Sequence, residues 1–202
     1  MDKYGNYEEL EQHEKEGVDY EVQVRKGTSG IAVIAPHGGG IEPGTVDIAD
    51  GIAGTDHTFY CFKGIKKTGN INLHITSNRF DEPRGINAIN GENTVLAIHG
   101  CNDKKQVVYV GGKDREFKKK LRTALIEARF VAEESPRLGL RGKNPANICN
   151  QGRSGRGAQL EISEGLRRVM FDNLTAPADR KKTKVFCRFV TALRKSLQLH
   201  TG

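Results

Sequence analysis

No two cysteines in the chain form a CxxC pair: Cys61, Cys101, Cys149 and Cys187 stand singly and far apart. That spacing argues against a cysteine zinc cluster and favours reduced thiols over a disulfide framework. Long apolar runs are missing as well, none approaching the ~20 residues that a membrane-spanning helix needs. The opening stretch MDKYGNYEELEQHEKEG is acidic and polar with no apolar core. The expectation is therefore a chain made in the cytoplasm without a secretory signal. Repeats, low-complexity tracts and linkers are absent too. With 202 residues and 36% hydrophobic content, the chain is expected to form one domain over 1–202 with a sizeable core.

Charge is plentiful but uneven. The net charge is +7, yet residues 1–20 hold seven acids against two lysines. From Arg180 to Gly202 there are seven Lys or Arg and no acid. The acidic segment 1–19 thus precedes a basic body, which suits an anionic partner: a nucleic acid, an anionic polymer or a membrane surface. A solvated basic helix face would give the same count.

Runs rich in Val, Ile and Tyr, bounded by Gly, Asn or Pro, predict strands at 19–25, 31–36, 57–63, 71–76, 93–99, 106–110 and 158–163. Helical spacing predicts helices at 44–53, 84–90, 114–128, 164–172 and 179–199, with Asp114 as an N-cap. In the last, basic helix, Val185, Phe186, Phe189, Val190, Leu193 and Leu197 form an apolar stripe. The alternation predicts an α/β fold with a central mixed sheet flanked by helices. Sites in such folds form at the carboxyl ends of strands.

Six histidines are present. His13 and His200 are expected in solvent, and His57 and His74 as structural residues on strands. His37 and His99 differ: each ends an apolar run and precedes glycine, in VIAPHGGG and VLAIHGC. Parallel strands would bring both imidazoles to one point. Catalytic zinc commonly takes three N/O ligands and keeps a fourth position open. His37, Glu42 and His99 make such a set, with Gly38, Gly39 and Gly40 letting the chain curl and leaving room for substrate. The competing reading is a glycine turn with an incidental histidine and an exposed glutamate, and spacing leaves both open. Glu161 alternates to the strand face opposite Leu160 and Ile162. It is the candidate proton acceptor beside a metal-activated water; the competing reading is a surface glutamate on an edge strand.

The motifs APHGGGIEPGT, LHITSNRFDEP, AIHGC, VVYVGG and NICNQGRSGRGAQLEIS together resemble the phage and prophage poly-γ-glutamate hydrolase family over residues 20–172. Arg79, in TSNRF, departs from the pattern and is not carried over as a catalytic residue. The resemblance implies a zinc carboxypeptidase-like fold and endo-hydrolysis of γ-glutamyl amide bonds in poly-γ-glutamate. It implies one zinc ion per chain on His37, Glu42 and His99, with Glu161 shuttling the proton. A more distant likeness is to the N-formylglutamate amidohydrolases, which makes a zinc amidohydrolase of a small N-acyl amino acid the alternative. A basic nucleic-acid-binding phage protein is disfavoured, because no helix-turn-helix, zinc-finger or RNP-like pattern is present.

Poly-γ-glutamate carries a free carboxylate on every residue, and arginine suits bidentate carboxylate binding. Arg153 and Arg156, with Asn150 and Asn147 nearby, precede the Glu161 strand and are the expected substrate-binding residues. The remaining expectations are a monomer with no membrane contact, acting on extracellular polymer after host lysis.

Overall fold

Alternating strands and amphipathic helices fold into a sheet with helices on both faces. The computed structural model describes residues 2–198. In chain order its elements are α1 (Tyr7–Glu11), β1 (Tyr20–Arg25), β2 (Ile31–Gly39), α2 (Thr45–Ala53), β3 (Thr58–Gly64), α3 (Pro83–Asn90), β4 (Thr94–Cys101), β5 (Val107–Gly112), α4 (Arg115–Glu127), β6 (Val131–Glu133), β7 (Ala158–Ser163), α5 (Glu164–Met170), β8 (Phe171–Asp172), β9 (Lys181–Lys182) and α6 (Lys184–Gln198). Seven strands form one sheet in the order β1-β3-β2-β4-β7-β5-β6, and β8 and β9 make a separate two-stranded ribbon. β3, β2, β4 and β7 run parallel; β1 and β5 are antiparallel to their neighbours β3 and β7. The mixed α/β architecture agrees with the sequence.

Strand alternation divides the core. Val33, Ala35, Leu96, Ile98, Leu160 and Ile162 are buried on one face with residues of α2, α4, α5 and α6. The predicted stripe of α6 is part of this layer, with Phe189, Leu193 and Leu197 fully buried. Ala32, Ile34, Val95 and Ala97 face the other way, beneath α1, α3 and the loop residues Leu73, Ile75, Phe80, Ile148 and Cys149. His99, Gln159 and Glu161 continue this second face by period-two alternation.

Three predicted elements differ, the first being the helix predicted at 164–172, which ends at Met170 because Phe171–Asp172 pairs as β8. Residues 71–76 are not a strand: Asn70–Leu73 is a 3-10 turn. Gly69 is left-handed, and Asn70 closes the turn by accepting from Lys66 N (2.9 Å) and donating to Lys66 O (2.7 Å). These side chain–backbone bonds override the strand preference of the β-branched residues. The last helix begins at Lys184 rather than 179, because Lys181–Lys182 pairs with Phe171–Asp172 and Thr183 Oγ1 accepts from Val185 N at 3.2 Å. His200 and the predicted end of this helix lie outside the described residues.

The acidic residues within 2–19 dock on basic residues of the loops and of α3. Asp2 accepts from His74 Nδ1, Thr76 N and Arg79 Nη2 at 2.7–2.8 Å. Glu16 makes a two-bond pair with Arg84. Buried Glu14 accepts from Tyr4 (2.6 Å), Lys66 (2.5 Å) and Lys3 (3.2 Å). Burial alone would raise the Glu14 carboxyl, but Lys66, Tyr4 and Lys3 outweigh it and hold it at about 2. Stability from Glu14 is thus fully present above the ordinary value of 4.5 and lost as pH falls towards about 2. Glu14→Gln is expected to lower stability by about 1–3 kcal/mol at pH 7, with the gap to wild type narrowing below pH 4. Parallel melting curves at pH 7 and pH 3 check this; a gap independent of pH would contradict it.

Candidate metal centre and proton acceptor

β2 is paired on both sides, where proline is normally confined to a bulge. Pro36 sits there, and the register of β2 against β3 slips by one residue between Ala35 and Gly38. The extra residue reverses the alternation of the strand. Without it, His37 would follow Ile31, Val33 and Ala35 into the helix-covered core. With it, the His37 ring turns to the opposite face and meets His99.

The two imidazoles meet through their Nδ1 atoms, 3.1 Å apart. The Glu42 carboxylate approaches both, with Oε1 3.4 Å from His37 Nδ1 and Oε2 3.7 Å from His99 Nδ1. Gly100 N donates to Glu42 Oε2 at 2.9 Å and fixes the carboxylate. His37 Nε2 lies 2.8 Å from Ile75 O. A carbonyl only accepts, so Nε2 carries the proton and Nδ1 of the neutral ring presents its lone pair. His99 Nε2 lies 3.5 Å from Ser77 Oγ. His37 and His99 are each 2% exposed.

This donor set fits a metal ion. A tetrahedral zinc site with bonds of about 2.0–2.1 Å has ligand atoms about 3.3 Å apart. The Nδ1–Nδ1 separation of 3.1 Å lies near that value, and each ring has a different Glu42 oxygen close by, Oε1 3.4 Å from His37 and Oε2 3.7 Å from His99. Among the described residues, His37, Glu42 and His99 form a cluster able to hold an ion. Oxygen and imidazole donors without thiolate suit zinc and other first-row divalent ions.

Electrostatics follow from burial and proximity. Burial drives the His37 imidazolium down, only partly offset by Glu42. Burial also opposes charge on His99, but the Glu42 and Glu161 carboxylates prevail and raise it. Glu42 is pulled well below the usual carboxylate range, because His37 and His99 outweigh its burial. Glu161 moves the other way: burial and the Glu42 charge raise it to about 7 despite His99.

Glu161 is the cross-strand partner of His99 between β7 and β4, so the two side chains share a face. Gln159 Nε2 donates to Glu161 Oε1 at 3.0 Å. Gln159 is itself fixed by Leu140 O (3.1 Å) and Asn147 Nδ2 (3.1 Å). Sequence reading missed Gln159, although a residue two before Glu161 in a strand must share its face. Arg167 was missed too; it is buried behind the ends of β4 and β7.

The expected substrate-binding residues are placed differently. Arg153 donates to Asn93 Oδ1 from Nε (3.1 Å) and Nη2 (2.6 Å), beside the N-terminal end of β4. His99 lies six residues further on, about 20 Å along the strand. Arg156 turns towards Asp114 at 3.7 Å, at the start of α4. Their loop precedes β7, so it lies at the opposite end of the sheet from the metal-competent cluster. Asn150 is buried with its amide engaged: Nδ2 donates to Gly142 O and Asn144 O, and Oδ1 accepts from Lys113 N and Gly157 N. It shapes the loop and leaves no donor for a substrate. The glycines after His37 also serve packing rather than open space. A Cβ at Gly38, Gly39 or Gly40 would meet Val46, Gly64 or Asn70 at 2.2–2.4 Å, and Gly39 has φ +65°.

Comparison with known proteins agrees with this architecture. The family model described as poly-gamma-glutamate hydrolase matches residues 4–192. The chain belongs to that family. The SPbeta prophage-derived UPF0714 protein YoqZ of Bacillus subtilis (strain 168) is 37% identical over 198 residues, covering 96% of this chain and 71% of YoqZ. A solved structure of a bacteriophage poly-gamma-glutamate hydrolase superposes with TM-score 0.94 at 31% identity, over 99% of this chain and 98% of that one. A zinc-free structure of YndL superposes with TM-score 0.89 at 33% identity, over 98% of both chains. Among the described residues, no helix is long and apolar enough to cross a membrane.

Proposed function

We propose that the chain is a zinc-dependent endo-hydrolase of γ-glutamyl amide bonds in poly-γ-glutamate, with Glu161 moving the proton. The reading rests on one observation above the others. Two imidazole Nδ1 atoms and a carboxylate converge at zinc-ligand spacing beside a buried carboxyl raised to about 7. Zinc held by His37, Glu42 and His99 would act as a Lewis acid, polarising a carbonyl and acidifying a water. Family membership and the phage hydrolase neighbour support the substrate class.

Each residue then has a defined task. His37 and Glu42 are set by the β2 bulge and the turn after it, and His99 by β4. Gln159 orients Glu161 by donating to Oε1. A carboxyl poised near neutrality can take a proton from water and return it to the departing amine. A carboxypeptidase-like single domain acting as a monomer, reaching the polymer on host lysis, completes the proposal. Finding the protein outside intact, unlysed cells would count against that route.

The test is the mass of poly-γ-glutamate after incubation, with zinc content measured alongside. Falling polymer mass that a chelator abolishes and added zinc restores is the expected result. An unchanged polymer, with hydrolysis confined to small N-acyl amino acids, would instead identify the alternative amidohydrolase.

A further inference from the structure

Arg167 is 3% exposed and lies in α5, directly after the strand that carries Glu161. A buried guanidinium is costly unless its donors are satisfied. Its three nitrogens each bond a different backbone carbonyl: Nε donates to Ile162 O (3.1 Å), Nη1 to Pro43 O (2.7 Å) and Nη2 to Cys101 O (3.3 Å). Those carbonyls belong to residues next to or close behind Glu161, Glu42 and His99. Three segments distant in sequence are thereby tied to one rigid planar group. Gly100 packs on the same guanidinium, where a Cβ would sit 2.7 Å from Cζ, and its amide donates to Glu42 Oε2. The charge of Arg167 also acts on Glu42 and Glu161.

We propose that Arg167 is a positioning residue that sets the separation of Glu42, His99 and Glu161 by clamping the backbone behind each of them. This rests on the zinc reading for its metal readout, but the clamp itself is a property of the chain. Lysine cannot replace it, because one ammonium does not span three carbonyls in fixed directions. Groups that hold metal ligands in place typically contribute about 10- to 100-fold to metal affinity.

The experiment uses the full chain and two readouts: zinc affinity by competition with a chromophoric chelator, and amide exchange at residue 100 in the zinc-free protein. Arg167→Met and Arg167→Lys are expected to bind zinc about 10- to 100-fold more weakly and to exchange faster at residue 100. Phe189→Leu, which disturbs the packing of α6 on Phe130 and touches none of the groups bonded to Arg167, is expected to lower the melting temperature while leaving both readouts at wild-type values. Gly100→Ala, which displaces the guanidinium without removing it, is expected to resemble Arg167→Met and serves if that variant does not fold. Wild-type readouts in the folded Arg167 or Gly100 variants, full rescue by lysine, or equal losses in Phe189→Leu would each overturn the clamp. A wild-type chain that fails to bind zinc would remove the metal reading, and amide exchange would still decide the clamp.

Discussion

Glu161→Gln is expected to keep one zinc per chain while turnover of poly-γ-glutamate falls by about 10²- to 10⁴-fold, the usual contribution of a positioned acid–base group. Glutamine has the same shape and still accepts the bond from Gln159 Nε2, so the site's geometry is retained. What disappears is the proton acceptor. Two further signatures separate this from a structural defect. With the free carboxyl at about 7 in the zinc-free chain, a bound cation draws it lower. The acid limb of kcat/KM should therefore lie below pH 7 in the wild type and vanish in the variant. Stability should move the opposite way. Because the folded pKa is raised above 4.5, ionising Glu161 weakens the fold as pH rises through about 7. The zinc-free variant should melt above wild type at pH 8 and match it at pH 4. Undiminished turnover in the variant would remove Glu161 from the reaction.

His99→Ala is expected to lose both metal and activity. Two ligands remain, and Glu42 keeps its bond from Gly100 N, so the fold is preserved while the donor set is broken. Loss of the Lewis acid removes several kcal/mol of transition-state stabilisation, at least ~10³-fold in rate. Elemental analysis after dialysis, set against a melting curve, distinguishes ligand loss from unfolding. One zinc per chain in this variant would exclude His99 as a ligand.

The site was partly legible because its chemistry lies at strand ends. VIAPHGGG and VLAIHGC read as parallel strands delivering histidines, and the register confirms that neighbourhood. The means of delivery was less visible. Pro36 in a doubly paired strand was the signal for the bulge that turns His37 to the His99 face. Arg153 and Arg156 precede Glu161 closely in sequence, yet the fold carries them to the other end of the sheet. β7 crosses the sheet between them, and their loop pairs with Glu92 and Asn93 at its far end. Arg167 was illegible for a different reason. In a short helix an arginine reads as a solvated residue, and only the tertiary positions of Pro43 O and Cys101 O show what it holds. The acidic start likewise gave no sign of its distant partners, since Asp2, Glu14 and Glu16 each pair with a residue fifty or more positions away.

The central claim is that His37, Glu42 and His99 bind zinc together. Anomalous diffraction at the zinc absorption edge, on crystals of the zinc-loaded chain, tests it directly. The account predicts one peak about 2.0–2.1 Å from His37 Nδ1, His99 Nδ1 and a Glu42 carboxylate oxygen. A zinc peak elsewhere in the chain, or none at these three residues in active crystals, would contradict it.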